Sequence, residues 1–218
     1  MKKISTTFAL VLLFITAFAQ SCPDNNHPHM IDLGLPSGTK WACCNVDASS
    51  PEEYGGYYEW GELYNKGVPV NRFKHDNYSV DSNYKRIYKN IGSDIAGTRY
   101  DVAFVLWGGN WRMPNNNQIK ELCHECINNM KIITYKGIKG IKFTGPNGNS
   151  IFLPAAGSAI GDNISGDGYE GYYWSSTLDP AKMERAYSMT LYYPPYSNRQ
   201  ERGIAYSVRP VTYSTQSY

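Results

Sequence analysis

Four cysteines form two close pairs whose spacing suits either metal binding or thiol chemistry. Cys43 and Cys44 are adjacent, and Cys123 and Cys126 enclose a CxxC motif. Four thiolates can hold a zinc ion, and a CxxC pair can cycle between dithiol and disulfide. Adjacent cysteines on a strand point to opposite faces, so both of them cannot reach one metal without distortion. Disulfide bonds, buried thiols and a metal site stay open as interpretations; the metal site is the least favoured and is not predicted.

A second set of candidate ligands lies in a Gly-rich segment. Asp162, Asn163, Asp167 and Glu170 could hold Ca²⁺ through their oxygens. Their spacing lacks the EF-hand pattern, and a turn rich in Asp, Asn and Gly is the alternative. Calcium is therefore the one cofactor that we keep open, and we expect no other.

No catalytic motif is present, and we predict no catalytic role. The sequence contains no HExxH motif, nucleophile elbow, P-loop or dinucleotide fingerprint. The four histidines are dispersed: His27 and His29 near the N-terminus, His75 in a polar segment, and His124 on the expected solvent face of a helix.

Tyrosines are concentrated near the C-terminus, where they favour a binding function. Ten of the 19 tyrosines lie at or after Tyr169. Tyrosine supplies a large rigid contact area and one hydroxyl at small entropic cost. Polar residues alternate with Met189 and Leu191, so we expect those polar residues to face outward from a strand. The predicted ligand-binding residues are Ser188, Thr190, Tyr192, Tyr193, Tyr196 and Asn198; ordinary packing of a Tyr-rich sheet is the alternative.

Two short helices are predicted early in the chain. Residues 50–53 (Ser-Pro-Glu-Glu) have the spacing of a capping box, and the glycines at 55–56 end that helix after about one turn. Asn115 and Gln118 repeat the capping pattern. An apolar stripe at helical spacing follows them: Ile119, Leu122, Cys123, Cys126, Ile127 and Met130.

The remaining apolar segments predict strands, mainly in the C-terminal half. A turn cluster at residues 145–148 (Gly-Pro-Asn-Gly) predicts a hairpin. The predicted strands are Gly140–Phe143, Ser150–Leu153, Tyr172–Thr177, Ala186–Tyr193 and Ala205–Val211. The fold class is therefore α+β, with two short helices early and an antiparallel sheet late.

The N-terminus has the pattern of an export signal. Two lysines precede an apolar run over residues 8–18, which is too short to cross a bilayer. We predict a signal peptide over 1–21, a tether over 22–30, one domain over 31–213 and a tail over 214–218. A membrane anchor or a buried first helix is the alternative for the apolar run. Cys22 is a lipidation candidate in a loose lipobox, so the protein is either freely secreted or a lipoprotein.

The charge balance excludes a nucleic-acid partner. The chain has 21 basic and 19 acidic residues, and removal of Lys2 and Lys3 with the signal peptide leaves 19 of each. Without a basic stripe, the protein cannot displace counterions from a phosphate backbone. We expect a membrane contact only through a lipid anchor.

Seven sequence blocks resemble the successive signatures of one bacterial family. The blocks are Ile31-Asp-Leu-Gly-Leu-Pro-Ser-Gly-Thr-Lys-Trp41, Ser50-Pro-Glu-Glu-Tyr-Gly55, Trp60-Gly-Glu62, Trp107-Gly-Gly-Asn-Trp-Arg-Met-Pro114, Ile151-Phe-Leu-Pro-Ala-Ala-Gly157, Tyr173-Trp-Ser-Ser176 and Ser207-Val-Arg-Pro-Val211. In this order they resemble the Fibrobacter succinogenes major paralogous domain family. The family is similar to the C-type-lectin-like fold, in its formylglycine-generating-enzyme branch.

The resemblance implies an exported or surface protein with a ligand-presenting fold. It also implies a disulfide between Cys44 and Cys126, the positions at which the family pattern has cysteines. In related diversified receptors the ligand-contacting positions lie between the last two blocks, which supports the predicted set from Ser188 to Asn198. We therefore expect a binding protein with a protein or glycan partner, located at the cell surface or in the periplasm. If Cys22 is lipidated, the protein is an outer-membrane lipoprotein. An enzyme of the formylglycine-generating type would need a reactive pair of cysteines late in the chain, and residues 127–218 contain no cysteine, so this alternative is disfavoured. A structural subunit of a cell-surface assembly is the other alternative.

Overall fold

The computed structural model describes residues 30–64 and 77–213. The predicted signal peptide, Cys22, His75 and the tail over 214–218 lie outside the described residues. The predicted tether also lies outside them except for Met30, which begins the first strand. Within the described ranges, no helix is long and apolar enough to cross a membrane.

The described chain consists of short strands with two helices near its middle. In chain order the elements are β1 (Met30–Asp32), β2 (Thr39–Ala42), β3 (Tyr58–Glu59), β4 (Tyr78–Val80), β5 (Arg86–Tyr88), α1 (Val102–Trp107), α2 (Asn116–Glu125), β6 (Lys131–Tyr135), β7 (Ile138–Thr144), β8 (Ser150–Pro154), β9 (Ser158–Ile160), β10 (Asn163–Ser165), β11 (Tyr172–Leu178), β12 (Arg185–Thr190), β13 (Tyr196–Glu201), β14 (Ala205–Tyr206) and β15 (Val211–Tyr213).

These strands form five small sheets. Their orders are β1-β2-β15, β10-β9-β14-β3, β11-β12-β13, β4-β5 and β6-β7-β8. Every pairing of these named strands is antiparallel. The fold is thus mostly antiparallel β-sheet with two short helices, which fits the α+β class or a mostly β class.

The predicted capping box at Asn115 is confirmed and begins helix α2. The Asn115 side chain accepts the Gln118 N–H, and the Gln118 side chain accepts the Asn115 N–H. The apolar stripe is buried as far as Cys126, where the helix is capped. The last two residues of the predicted stripe lie beyond the helix: Ile127 is exposed, whereas Met130 is buried in the core from the segment that follows.

The helix predicted from Ser50 does not form, and a different helix was missed. Residues 51–52 make only a turn. The Glu53 carboxylate accepts from the Ser49 N–H and hydroxyl, which holds this segment as a turn. The first helix is instead α1, whose N-cap Asp101 accepts the Ala103 and Phe104 N–H groups. Both helices therefore lie within residues 102–125 and not early in the chain.

The strand predictions are right in position but not in extent. The hairpin β7–β8 and strand β11 are confirmed. Strand β12 ends at Thr190, three residues before the predicted end. The predicted strand over 205–211 is divided into β14 and β15 by residues 207–210, and β6 and β13 were not predicted.

The sheet β11-β12-β13 lies between the two larger core clusters. Tyr173 and Met189 belong to a cluster that includes the apolar residues of α2 and the four cysteines that the structure describes. Trp174 and Ala186 belong to a second cluster, with Tyr206 on β14. Strands β11 and β12 are therefore covered on both faces, which determines the environment of the predicted binding residues.

Candidate functional site

Strand register places part of the predicted binding set in two rows on one face of the sheet β11-β12-β13. Tyr172 pairs with Thr190, and Thr190 pairs with Tyr196. The next row on the same face consists of Trp174, Ser188 and Asn198. Directly paired residues share a face, so each row runs from β11 across β12 to the edge strand β13.

The tyrosines of the predicted set are exposed. Tyr192 is 72% exposed and Tyr193 54%, both in the loop after β12. Tyr196 is 47% exposed at the start of β13, and Asn198 is exposed on the same strand. Three tyrosine rings and one amide are thus presented to solvent by one hairpin.

Ser188 is a correction, because it is fully buried and not presented outward. The alternation with Met189 is real, but β12 is the central strand of its sheet and its second face packs in the cluster of Trp174 and Ala186. A polar residue on a strand that is covered on both faces is buried whichever way it points. Thr190 is intermediate, with its hydroxyl buried.

Tyr172, which was not in the predicted binding set, completes the first row at β11 and is supported by Tyr206 on β14. The rings of Tyr172 and Tyr206 stack at a centroid separation of 5.0 Å, with 21° between their planes. The Tyr172 hydroxyl donates to the Glu170 carboxylate at 3.1 Å. Burial raises the pKa of the Tyr172 hydroxyl, and the neighbouring Glu170 carboxylate raises it further. The hydroxyl is therefore protonated near neutral pH and can donate its hydrogen bond. Only the register of β11 against β12 identifies this residue, since its spacing along the chain carries no signal.

Two hydroxyls in these rows lack hydrogen bonds. Within the described chain, Ser188 Oγ and Thr190 Oγ1 are buried and have no hydrogen-bond partner. A buried hydroxyl without a partner costs free energy, so native proteins contain few of them.

The cysteines pack together in the interior. Cys43, Cys44, Cys123 and Cys126 all lie in one core cluster. Cys126 is a thiol in this structure, so the Cys44–Cys126 bridge is not formed in it and stays a prediction for the oxidised protein. Burial raises the pKa of Cys123 to about 12 and that of Cys126 to about 11.

The calcium hypothesis gains no support from side-chain positions. Among the described residues, no group of three or more His, Cys, Asp or Glu side chains converges on a common point. Asn163 lies in β10, and Glu170 is engaged by Tyr172. Calcium binding by this segment stays a prediction.

A buried arginine marks a second polar cluster, which joins β3 to the β4–β5 hairpin. The Arg202 guanidinium lies between the Trp60 and Tyr88 rings, 4.6 and 4.5 Å from their centroids. Nearby, Arg86 forms a two-point ion pair with the buried Glu59. Burial lowers the pKa of Arg202 to about 10. Arg202 Nη1 donates to the Met183 carbonyl at 3.0 Å, whereas Arg202 Nε and Nη2 are buried without a hydrogen-bond partner among the described residues.

Two of the surface grooves among the described residues are lined by none of Tyr192, Tyr193 and Tyr196. One, of about 700 Å³, runs between β1 and the β6-β7-β8 sheet, with Ile31, Ile133 and Phe152 in its wall. The other, of about 460 Å³, lies at the start of α2 and is lined by Asn115–Asn117, Thr177, Leu178 and Tyr187, among others. Neither groove contains a residue of the predicted binding set.

Comparisons of this chain with protein-family models, with curated proteins and with solved structures found no match.

Proposed function

We propose that this protein is an exported, non-catalytic binding protein that presents a Tyr-rich surface to a protein or glycan partner. The Tyr-rich surface comprises Tyr172, Tyr192, Tyr193, Tyr196 and Asn198. The proposal includes a C-type-lectin-like domain of the major paralogous family, displayed at the cell surface or in the periplasm. Attachment through a lipid on Cys22 is the alternative to free secretion.

The observation that carries the proposal is the joint exposure of three tyrosines on one hairpin. Tyr192, Tyr193 and Tyr196 are each about half exposed or more. Large apolar rings held in water by a rigid scaffold characterise interaction surfaces, and tyrosine is enriched among the residues that dominate binding energy. The sheet behind them is buried on both faces at β11 and β12, so the hairpin is held on a rigid support.

The binding mode does not depend on net charge. The mature chain has equal numbers of basic and acidic residues if the predicted signal peptide is removed. Association would then depend on ring contacts and hydrogen bonds, and we expect its affinity to change little with salt.

The function is tested by screening residues 22–218 against arrays of soluble glycans and of purified extracellular proteins. The double variant Tyr192→Ala/Tyr196→Ala should weaken any specific binding at least tenfold, because it removes two exposed rings. Tyr84→Ala is the matched control, since Tyr84 is 91% exposed on the β4–β5 turn, away from this surface. Equal binding by the double variant and the wild type would exclude the Tyr-rich surface.

A further inference from the structure

Strand β6 is an exposed edge strand, and part of its main chain is not bonded to the rest of its sheet. Among the described strands it pairs only with β7, at one edge of the sheet β6-β7-β8. Lys136 and Gly137 both have positive φ, as in the two-residue turn that closes a hairpin. The residues that flank such a turn form a hydrogen-bonded pair, and bonded pairs then alternate along the strands. The N–H and C=O groups of Ile132 and Thr134 therefore point away from β7, toward solvent.

The side chains of β6 suit a strand with a neighbour on each side, yet they are largely exposed. Ile132 is 62% exposed and Tyr135 is 37% exposed, and Ile133 is half-buried. β-branched and aromatic residues of this kind are enriched in strands that pack against neighbouring side chains. An exposed apolar edge without proline is a template for pairing with another chain. The outer edge of β6 therefore has both the main chain and the side chains that strand addition requires.

Each face of β6 borders a cavity. On one face, Ile132 lines a cleft of about 130 Å³ together with Leu191 and Tyr169. On the other face, Ile133 and Tyr135 line the groove between β1 and the β6-β7-β8 sheet. A strand laid along β6 directs its side chains alternately to the two faces, and pockets for alternate side chains give selectivity to this mode of recognition. Apolar side chains of an added strand can therefore pack on β6 at both faces.

The β6–β7 hairpin carries only positive charge. Residues 131–144 contain no acidic residue and four lysines: Lys131, Lys136, Lys139 and Lys142. Lys136 forms an ion pair of 2.7 Å with Glu52, whereas the other three are exposed and form no ion pair with any described residue. This charge favours an acidic partner strand. A second copy of the protein at the same edge would set lysines against lysines, which disfavours self-pairing.

We propose that the outer edge of β6 binds an extended, acidic peptide segment of a partner protein, which joins the sheet as a fourth strand. The peptide main chain bonds to the outward N–H and C=O groups of Ile132 and Thr134. Its apolar side chains pack on Ile132 and Ile133, and its carboxylates lie near Lys131. This site is separate from the Tyr-rich surface, and it selects a peptide because a glycan has no main chain to continue the ladder.

The test uses octapeptides selected on residues 22–218 from a random library displayed on phage. We expect the selected peptides to be acidic, rich in valine and isoleucine, and free of proline. Thr134→Pro removes an N–H that points outward and leaves the bonds to β7 in place, so it should weaken peptide binding about tenfold or more, measured by fluorescence anisotropy. Thr134→Val is the matched control: it keeps the N–H and should bind the peptide as the wild type does.

A second measurement does not depend on how Thr134→Pro folds. Methylation of every other nitrogen of the peptide should abolish binding when those N–H groups face β6 and should leave binding intact when they face solvent. The charge is tested by Lys131→Glu, which should weaken binding about threefold. Lys120→Glu, on the exposed side of α2, makes the same change in net charge and should have no effect.

The outcomes separate this site from other binding surfaces. Equal binding of the peptide to Thr134→Pro and the wild type, or equal effects of the two methylation patterns, would overturn the proposal. Binding weakened by Tyr192→Ala/Tyr196→Ala and not by Thr134→Pro would overturn it and support the Tyr-rich surface. Self-association that Thr134→Pro abolishes, with no bound peptide, would assign the edge to a second copy and also overturn it. Selection of no peptide would overturn it as well.

Discussion

The buried Arg209 joins three parts of the chain at a single side chain. Its guanidinium donates to Asn45 Oδ1 at 2.7 Å, to the Ala42 and Cys43 carbonyls, and to the Phe152 carbonyl at 3.0 Å. Arg209 therefore links the end of β2 to β8.

Arg209→Lys should destabilise the protein by about 3 kcal/mol. The planar guanidinium reaches four acceptors, and the single ammonium group of lysine cannot reach all of them. Urea unfolding of the two proteins measures the difference. Arg185→Lys is the control, since Arg185 is on the surface and its ion pair with Glu201 is exposed to solvent. Equal unfolding midpoints for Arg209→Lys and the wild type would show that the buried fork is dispensable.

The cysteines of α2 should be unreactive in the folded, reduced protein. With pKa values raised by burial to about 12 and about 11, the thiolate fraction of Cys123 and Cys126 at pH 8 is about one in a thousand or less. We expect slow alkylation of both thiols by iodoacetamide and rapid alkylation after unfolding in urea, measured by peptide mass spectrometry. Rapid labelling of Cys123 in the native protein would contradict its burial.

The predicted disulfide requires a separate measurement. Thiol counting on the exported protein, unfolded without reduction, should find Cys44 and Cys126 blocked if the bridge forms. Recovery of both as thiols would remove the prediction.

At the scale of elements, local signals predicted α2 but not α1. The capping pair Asn115 and Gln118 lies within four residues, so the sequence alone identifies it. Helix α1 has six residues, and its cap Asp101 also accepts from Met113, which lies beyond the helix. A helix stabilised mainly by contacts distant in sequence leaves little periodic signal.

Strands β12 and β13 show the limit of alternation as a guide to exposure. The polar pattern of β12 correctly separates its faces, yet Ser188 is buried because its face packs in a core cluster that includes Trp60, Tyr206 and Val208. Strand β13 has no apolar alternation, since it is a polar edge strand whose pairing partner defines it. The exposed tyrosines were predictable from composition, whereas Tyr172 required the register.

Removal of the cap in Asp101→Ala should cost about 3 kcal/mol of folding free energy, because several backbone N–H groups lose their buried acceptor. The change is measured by urea unfolding. Asp81→Ala removes a similar side chain from the more accessible β4–β5 turn and should cost less than about 1 kcal/mol. Equal losses for the two variants would contradict the central role of Asp101.

At the scale of the whole molecule, buried phenols make the fold sensitive to alkaline pH. Burial raises the pKa of Tyr78 to about 12 and raises the pKa values of Tyr58, Tyr173 and Tyr206 as well. An unfolded tyrosine ionises near pH 10. The stabilisation is therefore complete below about pH 10 and is lost as pH rises toward the folded values. Urea midpoints should be constant from pH 7 to about 9 and fall above about 10; a constant midpoint at pH 11 would contradict this account.

The central claim concerns the whole molecule, since it assigns binding to the hairpin of β12 and β13 and not to either groove. Hydrogen exchange of the protein with and without a ligand from the arrays tests that assignment directly. We expect slower exchange in residues 171–173 and 190–198 on binding, and no change in the β4–β5 hairpin. Slower exchange only in the residues that line the groove between β1 and the β6-β7-β8 sheet, with unchanged exchange in the hairpin of β12 and β13, would contradict the claim.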